Sequence, residues 1–261
     1  MTQKIKELLA ADNWPLAVDP GLICDKSAES QIDRMKSILT IIVRENLSGK
    51  NFLDFGCGDG YSNVVAKEMG AIPMGYDIVK SDAWGDNPDL TTDWSMIAQK
   101  QFNVILLYDV LDHCEDPIDV LNKCKSVMGS GRIYCRTHPF CSRHGGHLYL
   151  TLNKAYAHLL LDDQELAEAN SPLVMPMQRV LYPIKTYTAW FGQAGLKILN
   201  RSTDTVPAEP IFRDVPELKS KIMSLWPDLY QKQLNKKGAT PQRKYPDGQL
   251  AMSFVDFVLT I

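Results

Sequence analysis

Gly56-Cys57-Gly58-Asp59-Gly60 makes a glycine-rich turn directly after a short apolar run, Asn51–Phe55. Such a turn between a strand and a helix lets a ligand approach the backbone and presents helix N–H groups to it. Asp77 closes a second apolar run, Ala71–Tyr76, about twenty residues on. A carboxylate at that place can accept both hydroxyls of a ribose. The dinucleotide-binding form needs a glycine at the sixth position of the loop. Here that position is Tyr61, and an acid, Asp59, sits inside the loop. An acidic loop repels a pyrophosphate and suits a ligand that carries an ammonium or sulfonium group.

A second concentration of reactive side chains is Cys141-Ser142-Arg143-His144-Gly145-Gly146-His147, the densest polar cluster of the chain. Its glycines permit a tight bend over a substrate. A histidine is the usual base for a hydroxyl or protonated amine acceptor. His138 precedes this cluster, and His113 follows the run Phe102–Tyr108. The same histidines could instead only hydrogen-bond backbone. His158, among Tyr156, Leu159 and Leu160, reads as structural.

The elements that must position these groups follow from periodicity. Residues 1–12 read as a short amphipathic helix, followed by a Pro- and Gly-punctuated stretch through Gly21. Residues 28–46 carry a helical stripe of Ile32, Met35, Ile38, Leu39 and Ile42. The glycine loop leads into a helix to about Met69, closed by Gly70. Phe102–Tyr108 is a fully apolar run, as expected of a strand buried on both faces of a parallel sheet. Asp116-Pro117 opens a helix with face Val120, Leu121, Cys124, Val127 and Met128, closed by Gly129. Arg132–Thr137 is the next strand. Strands alternating with helices predict a mostly parallel α/β sheet.

After His147 the rhythm changes. Residues 148–180 read as Leu-rich and helix-like, then turn-like around Pro172 and Pro176, 185–194 as helix, and Leu196–Ser202 and Ala251–Thr260 as strands. The Pro-rich stretch between those strands reads as an insertion or lid with a helix at 216–234. The expectation is one domain over 1–261: N-terminal helices in 1–48, a ligand-binding core at 49–147, and substrate-side insertions at 148–186 and 203–250.

Composition narrows the partners. The 261 residues carry 28 Lys+Arg against 31 Asp+Glu, a net charge of −3, so nothing pulls the chain as a whole toward nucleic acid or anionic membrane. No run of about 18 apolar residues occurs and no signal-peptide stretch opens the chain, so a cytoplasmic protein is expected. Cys24, Cys57, Cys114, Cys124, Cys135 and Cys141 include no CxxC pair, which argues against a disulfide framework or zinc finger.

The sequence resembles the class I S-adenosylmethionine-dependent methyltransferases, in particular their small-molecule group. Residues 52–60 resemble the family's first motif, and Met74-Gly75-Tyr76-Asp77-Ile78 its ribose-binding strand end. Residues 102–113 resemble its fourth strand and following loop, and Ser130-Gly131-Arg132-Ile133 the turn into its fifth. The resemblance implies a Rossmann-like doubly wound sheet, mostly parallel with an antiparallel final strand, plus a helical lid.

It also implies roles. Asp54 belongs to the first motif, and Gly56 and Gly58 pass under the methionine part of the cofactor. Asp77 and Ile78 hold the ribose end, Asp93 and Trp94 the adenine, and Tyr108 the other side. His113, His138, His144 and His147 fall where the family places its substrate site. S-adenosylhomocysteine is then the product. Asp109-x-x-Asp112-His113 resembles the Glu-x-x-Glu-His pattern of metal-assisted O-methyltransferases, with both acids one carbon shorter, and that resemblance implies that these groups, joined by a later histidine, could hold Mg²⁺ or a softer divalent ion that polarises an acceptor hydroxyl. No [DNS]-Pro-Pro-aromatic tetrad follows Phe102–Tyr108 and no Pro-Cys pair occurs, which argues against DNA-base methylation. A small polar acceptor is the leading substrate class. The other readings are a metal-assisted RNA 2′-O-methyltransferase and a non-catalytic cofactor-binding scaffold. The sequence does not give the oligomeric state.

Overall fold

In the computed structural model the described residues are 14–21, 27–139, 142–144, 148, 151–161, 163–170, 184–205, 209–214, 218–222, 224 and 252–261, with Gln3, Glu7 and Ala10. His147, Cys24, Cys141, most of the expected 1–12 helix and most of the 216–234 helix lie outside them.

Seven strands form one sheet: Asn51–Phe55 (β1), Ile72–Tyr76 (β2), Leu90–Thr91 (β3), Phe102–Tyr108 (β4), Met128–Thr137 (β5), Lys197–Thr205 (β6) and Met252–Thr260 (β7). Their order is β3-β2-β1-β4-β5-β7-β6. The pairs β1–β2, β1–β4, β2–β3 and β4–β5 are parallel, and the sheet contains one antiparallel strand. From β1 the chain builds outward through β2 to β3, then returns to β4 on the other side. That reversal leaves a crevice at the carboxyl ends of β1 and β4, where open α/β sheets bind ligands. Gly56 and Asp109 are the residues that leave those two ends.

Helices follow the predicted stripes. Ala28–Ile42 (α1) starts on Ser27, whose side chain accepts from Ser30 N at 3.3 Å. It buries Ile38, Leu39 and Ile42 in a core with Phe52, Val65, Val104, Leu106 and Tyr134. Tyr61–Glu68 (α2) follows the glycine loop, and Trp94–Ala98 (α3) is a short turn of helix. Pro117–Val127 (α4) is capped by Asp116, which accepts from Ile118 N and Asp119 N at 3.0 and 3.1 Å.

The end of α4 corrects the sequence reading. β5 begins at Met128, with no intervening loop, so Gly129 is a strand residue and not a helix stop. Gly131 shows why glycine stands here: a Cβ on it would lie 2.2 Å from the Asn103 carbonyl oxygen. The glycines let β5 run against β4 where the register shifts between Phe102 and Val104.

The chain divides into two compact units. One comprises Asp25–Thr137, Trp190–Ser202 and Asp256–Ile261, and the other Met1–Cys24, His138–Ala189 and Thr203–Val255. In the second, Asp163–Asn170 (α5) is helical, Ile184–Gln193 (α6) begins there, and Glu209–Asp214 (α7) was not foreseen. Its core gathers Trp14, Leu148, Leu152, Tyr156, Leu159, Ile211, Leu218 and Ile222.

The Leu-rich stretch after 148 is not a continuous helix, contrary to its composition. Its polar groups bond to the N-terminal segment: Trp14 Nε1 donates to Ala155 O at 3.0 Å, and Ala155 N to Pro15 O at 2.8 Å. Asn153 donates to Val18 O and accepts from Val18 N at 2.8 and 2.9 Å. Tyr156 takes a left-handed conformation, and only a 3-10 turn, Ala157–Leu159, follows. Among the described residues, no helix is long and apolar enough to cross a membrane.

Candidate active site

The three glycines of the loop all have positive φ, +81° at Gly56, +50° at Gly58 and +81° at Gly60. Left-handed backbone favours glycine at each. Their surroundings separate them. A Cβ on Gly56 would lie 2.6 Å from a Val110 methyl, and one on Gly60 would lie 2.7 Å from a Leu90 methyl. A Cβ on Gly58 would meet nothing within 4 Å. Gly56 and Gly60 therefore serve close packing inside the fold, and Gly58 alone leaves its face open for a ligand. Gly56 N and Cys57 N both donate to Tyr76 O, at 2.7 and 3.1 Å, so the loop is hung from the end of β2.

Asp77 reaches back to this loop. Its Oδ2 accepts from Gly58 N at 2.9 Å and its Oδ1 from Val79 N at 3.3 Å. An ionised carboxylate offers about four lone-pair directions, which leaves capacity for ribose hydroxyls. Ile78 beside it is 60% exposed, an apolar surface of the kind an adenosine would cover.

Asp54, by contrast, points into the fold and accepts a hydrogen bond from the Ser62 hydroxyl at the start of α2. Burial pushes its pKa up to about 7, the Ser62 bond opposes this, and the Asp77 charge adds to it.

Asp93 caps α3, accepting from Ser95 N at 2.8 Å, and the bonds from Ser95 hold its pKa below the ordinary carboxylate value. It remains exposed, so a cap and an adenine contact are compatible. Trp94 stacks edge-on with Tyr76, centroids 5.3 Å apart, and tilts against Phe55 at 5.7 Å. The Tyr108 hydroxyl accepts from Arg34 Nη2 at 3.2 Å, and burial, with the Asp109 charge, pushes its pKa up to about 12.

Beyond β4 the backbone turns sharply. Asp109 has φ +55° and donates its N–H to Arg136 O at 3.1 Å, and His113 N closes a turn on Val110 O at 2.9 Å. A non-glycine residue held left-handed is a strained position that the surroundings must enforce. Arg136 on β5 is buried and forms a two-point ion pair with Asp256 on β7, at 2.6 and 2.7 Å. The Asp112 side chain is also buried, 3.9 Å from His113 Nε2. Among the described residues no group of three or more His, Cys, Asp or Glu is arranged to hold a metal ion. Asp109, Asp112 and His113 thus do not converge as a ligand set.

In the other unit His138 and His144 come together. Their Nδ1 and Nε2 atoms lie 3.1 Å apart and their rings cross at 83°. Phe254 packs on both, with centroids 4.5 and 5.5 Å away. Tyr187 donates its hydroxyl to His138 O at 3.4 Å. In such a bond one ring nitrogen donates and the other accepts, the roles following the tautomer. His158 is buried on its 3-10 turn.

A family model described as a methyltransferase domain matches residues 28–200, and the chain belongs to that family. Its sheet and loop define it within the class I S-adenosylmethionine-dependent methyltransferases. Two proteins named ubiquinone biosynthesis O-methyltransferase are similar to it. The one from Haemophilus ducreyi is 25% identical over 58% of this chain and 66% of its own length. That from Pseudomonas fluorescens is 28% identical over 59% and 68%. The match thus spans about two thirds of these relatives, 66% of the first. A structure described as a SAM-dependent methyltransferase from Archaeoglobus fulgidus shares the fold with a TM-score of 0.52 and 13% identity, covering 92% of this chain and 99% of that one.

The packing of the glycines gives a first prediction. Both alanine substitutions pay roughly 1–2 kcal/mol for the left-handed backbone, and Gly56→Ala adds a methyl clash worth roughly 1–3 kcal/mol. Thermal melts should show Gly56→Ala losing clearly more stability, while Gly58→Ala loses affinity for S-adenosylhomocysteine. Equal melting temperatures would contradict this division of roles.

Proposed function

We propose that the chain transfers the methyl group of S-adenosylmethionine to a hydroxyl of a small polar molecule, with His144 as general base. The observation that carries the cofactor half is the Asp77 carboxylate gripping the N–H of Gly58, the one loop glycine with an open face. The names of the relatives support an oxygen acceptor.

Bound S-adenosylmethionine supplies a methyl on a sulfonium, ready for in-line displacement. The chain's own work is then modest: hold the ribose on Asp77, cover the adenosine with Ile78 and Trp94, and exclude water. Asp59 adds negative charge beside a cationic ligand. A hydroxyl acceptor must lose a proton as it attacks, and His144 takes it. His138, buried and bonded to His144, fixes the orientation of that ring, as a second polar group commonly does for a catalytic histidine.

The test pairs acceptors that differ at one atom. The protein is incubated with methyl-labelled S-adenosylmethionine and a set of small phenols and catechols, alongside the matching anilines. Label on oxygen is expected. Label confined to the anilines would overturn the oxygen assignment, and label appearing only in added RNA would overturn the small-molecule one.

A further inference from the structure

A crossover between neighbouring parallel strands needs about a dozen residues and is usually made by a helix. Between β2 and β3 the chain uses residues 77–89 with a single 3-10 turn, Asp82–Trp84. The turn is tied by Ser81, which accepts from Ala83 N at 3.2 Å, and by Trp84 N donating to Ser81 O at 3.1 Å. It places one large side chain. The Trp84 indole is buried, 5% exposed, and its Nε1–H donates to Gly58 O at 2.6 Å. One step along, the Ser81 hydroxyl donates to Asp59 Oδ1 at 2.5 Å.

Gly58 is therefore gripped from both sides by the same crossover. Asp77 takes its N–H and Trp84 supplies a donor to its carbonyl. A glycine at φ +50° has little intrinsic preference for that conformation. Side-chain bonds at both ends of the residue select it. The indole bond also polarises the Gly58–Asp59 peptide, which strengthens the N–H of Asp59 as a donor.

We infer that Trp84 is a positioning residue for cofactor binding: through Gly58 it holds the open face of the glycine loop in the ligand-accepting conformation before the ligand arrives. A loop ordered in advance binds more tightly because the ordering cost is not charged to binding. This rests on the S-adenosylmethionine reading of the loop.

Trp84→Phe keeps a flat ring in the buried site and removes only the N–H. Calorimetric titration with S-adenosylhomocysteine should show affinity about tenfold weaker in the folded variant, the size expected from losing one such bond. A residue serving only to fill the core would lower the melting temperature and leave the affinity of the folded protein as it was. An unchanged Kd in folded Trp84→Phe would therefore overturn the inference. Should Trp84→Phe fail to fold, Ser81→Ala decides. It removes the bond to Asp59 from a partly exposed position and is expected to weaken binding about threefold, whereas wild-type affinity would overturn the strap. Wild-type protein that does not bind S-adenosylhomocysteine would instead overturn the cofactor reading beneath it.

Discussion

Alanine at position 144 is expected to lower the rate of methyl transfer roughly hundredfold or more at saturating substrates, the span that general-base catalysis commonly supplies. The affinity for S-adenosylhomocysteine should stay within about twofold, because the ribose and loop contacts sit on other residues. The choice of His144 over its neighbour follows from burial: His138 is 2% exposed, packed on Phe254 and tied through its carbonyl to Tyr187. His138→Ala should thus lower both rate and melting temperature, whereas His144→Ala should act on rate alone. Rate constants from labelled-methyl assays, with melts run in parallel, separate the two. An unaltered rate in His144→Ala would remove the imidazole from the mechanism.

Asp77→Ala should cost cofactor affinity by about two orders of magnitude or more. Two charge-assisted bonds to ribose hydroxyls are worth about 1.5–3 kcal/mol each, and each 1.4 kcal/mol is a factor of about ten. The same substitution removes the carboxylate that accepts from Gly58 N, so the loop loses an anchor together with the proposed ribose contact. Asp77→Asn keeps an acceptor and should be milder. The substitution also acts on Asp54, whose pKa is raised by burial first and by the Asp77 charge to a lesser degree. With that charge gone, Asp54 ionises more readily. Stability from its protonated form, full below the ordinary carboxylate pKa of about 3.8, is lost as pH rises toward about 7 in the wild type. In Asp77→Ala that loss should shift to lower pH. Melts across this range read the shift, and titration with S-adenosylhomocysteine reads the affinity.

Much of the cofactor half was legible in the residues because its signals are local. Runs such as Asn51–Phe55 and Phe102–Tyr108 became strands with those same ends, and the Asp116-Pro117 start became a capped helix. Glycine was harder to read, since the letter does not say what the missing Cβ makes room for. Gly129 read as a helix stop and proved a strand residue. At Gly56 the letter gives no sign that the missing Cβ also makes room for Val110. Partners far apart in sequence are hard to read from it: Trp84 on Gly58, or Asp256 with Arg136, 120 residues away. A charged arginine within the apolar strand 132–137 was the one hint of that second pair. The Leu-rich segment after 148 misled because Ala155 N and the Asn153 side chain bond to residues 15–18, while its own backbone bonds close only short turns.

The central claim is that the open loop glycine and Asp77 form an S-adenosylmethionine site. Calorimetric titration of the wild-type protein with S-adenosylhomocysteine tests it most directly. The account predicts saturable binding with one site per chain. No binding heat at any temperature, from protein shown to be folded, would contradict it.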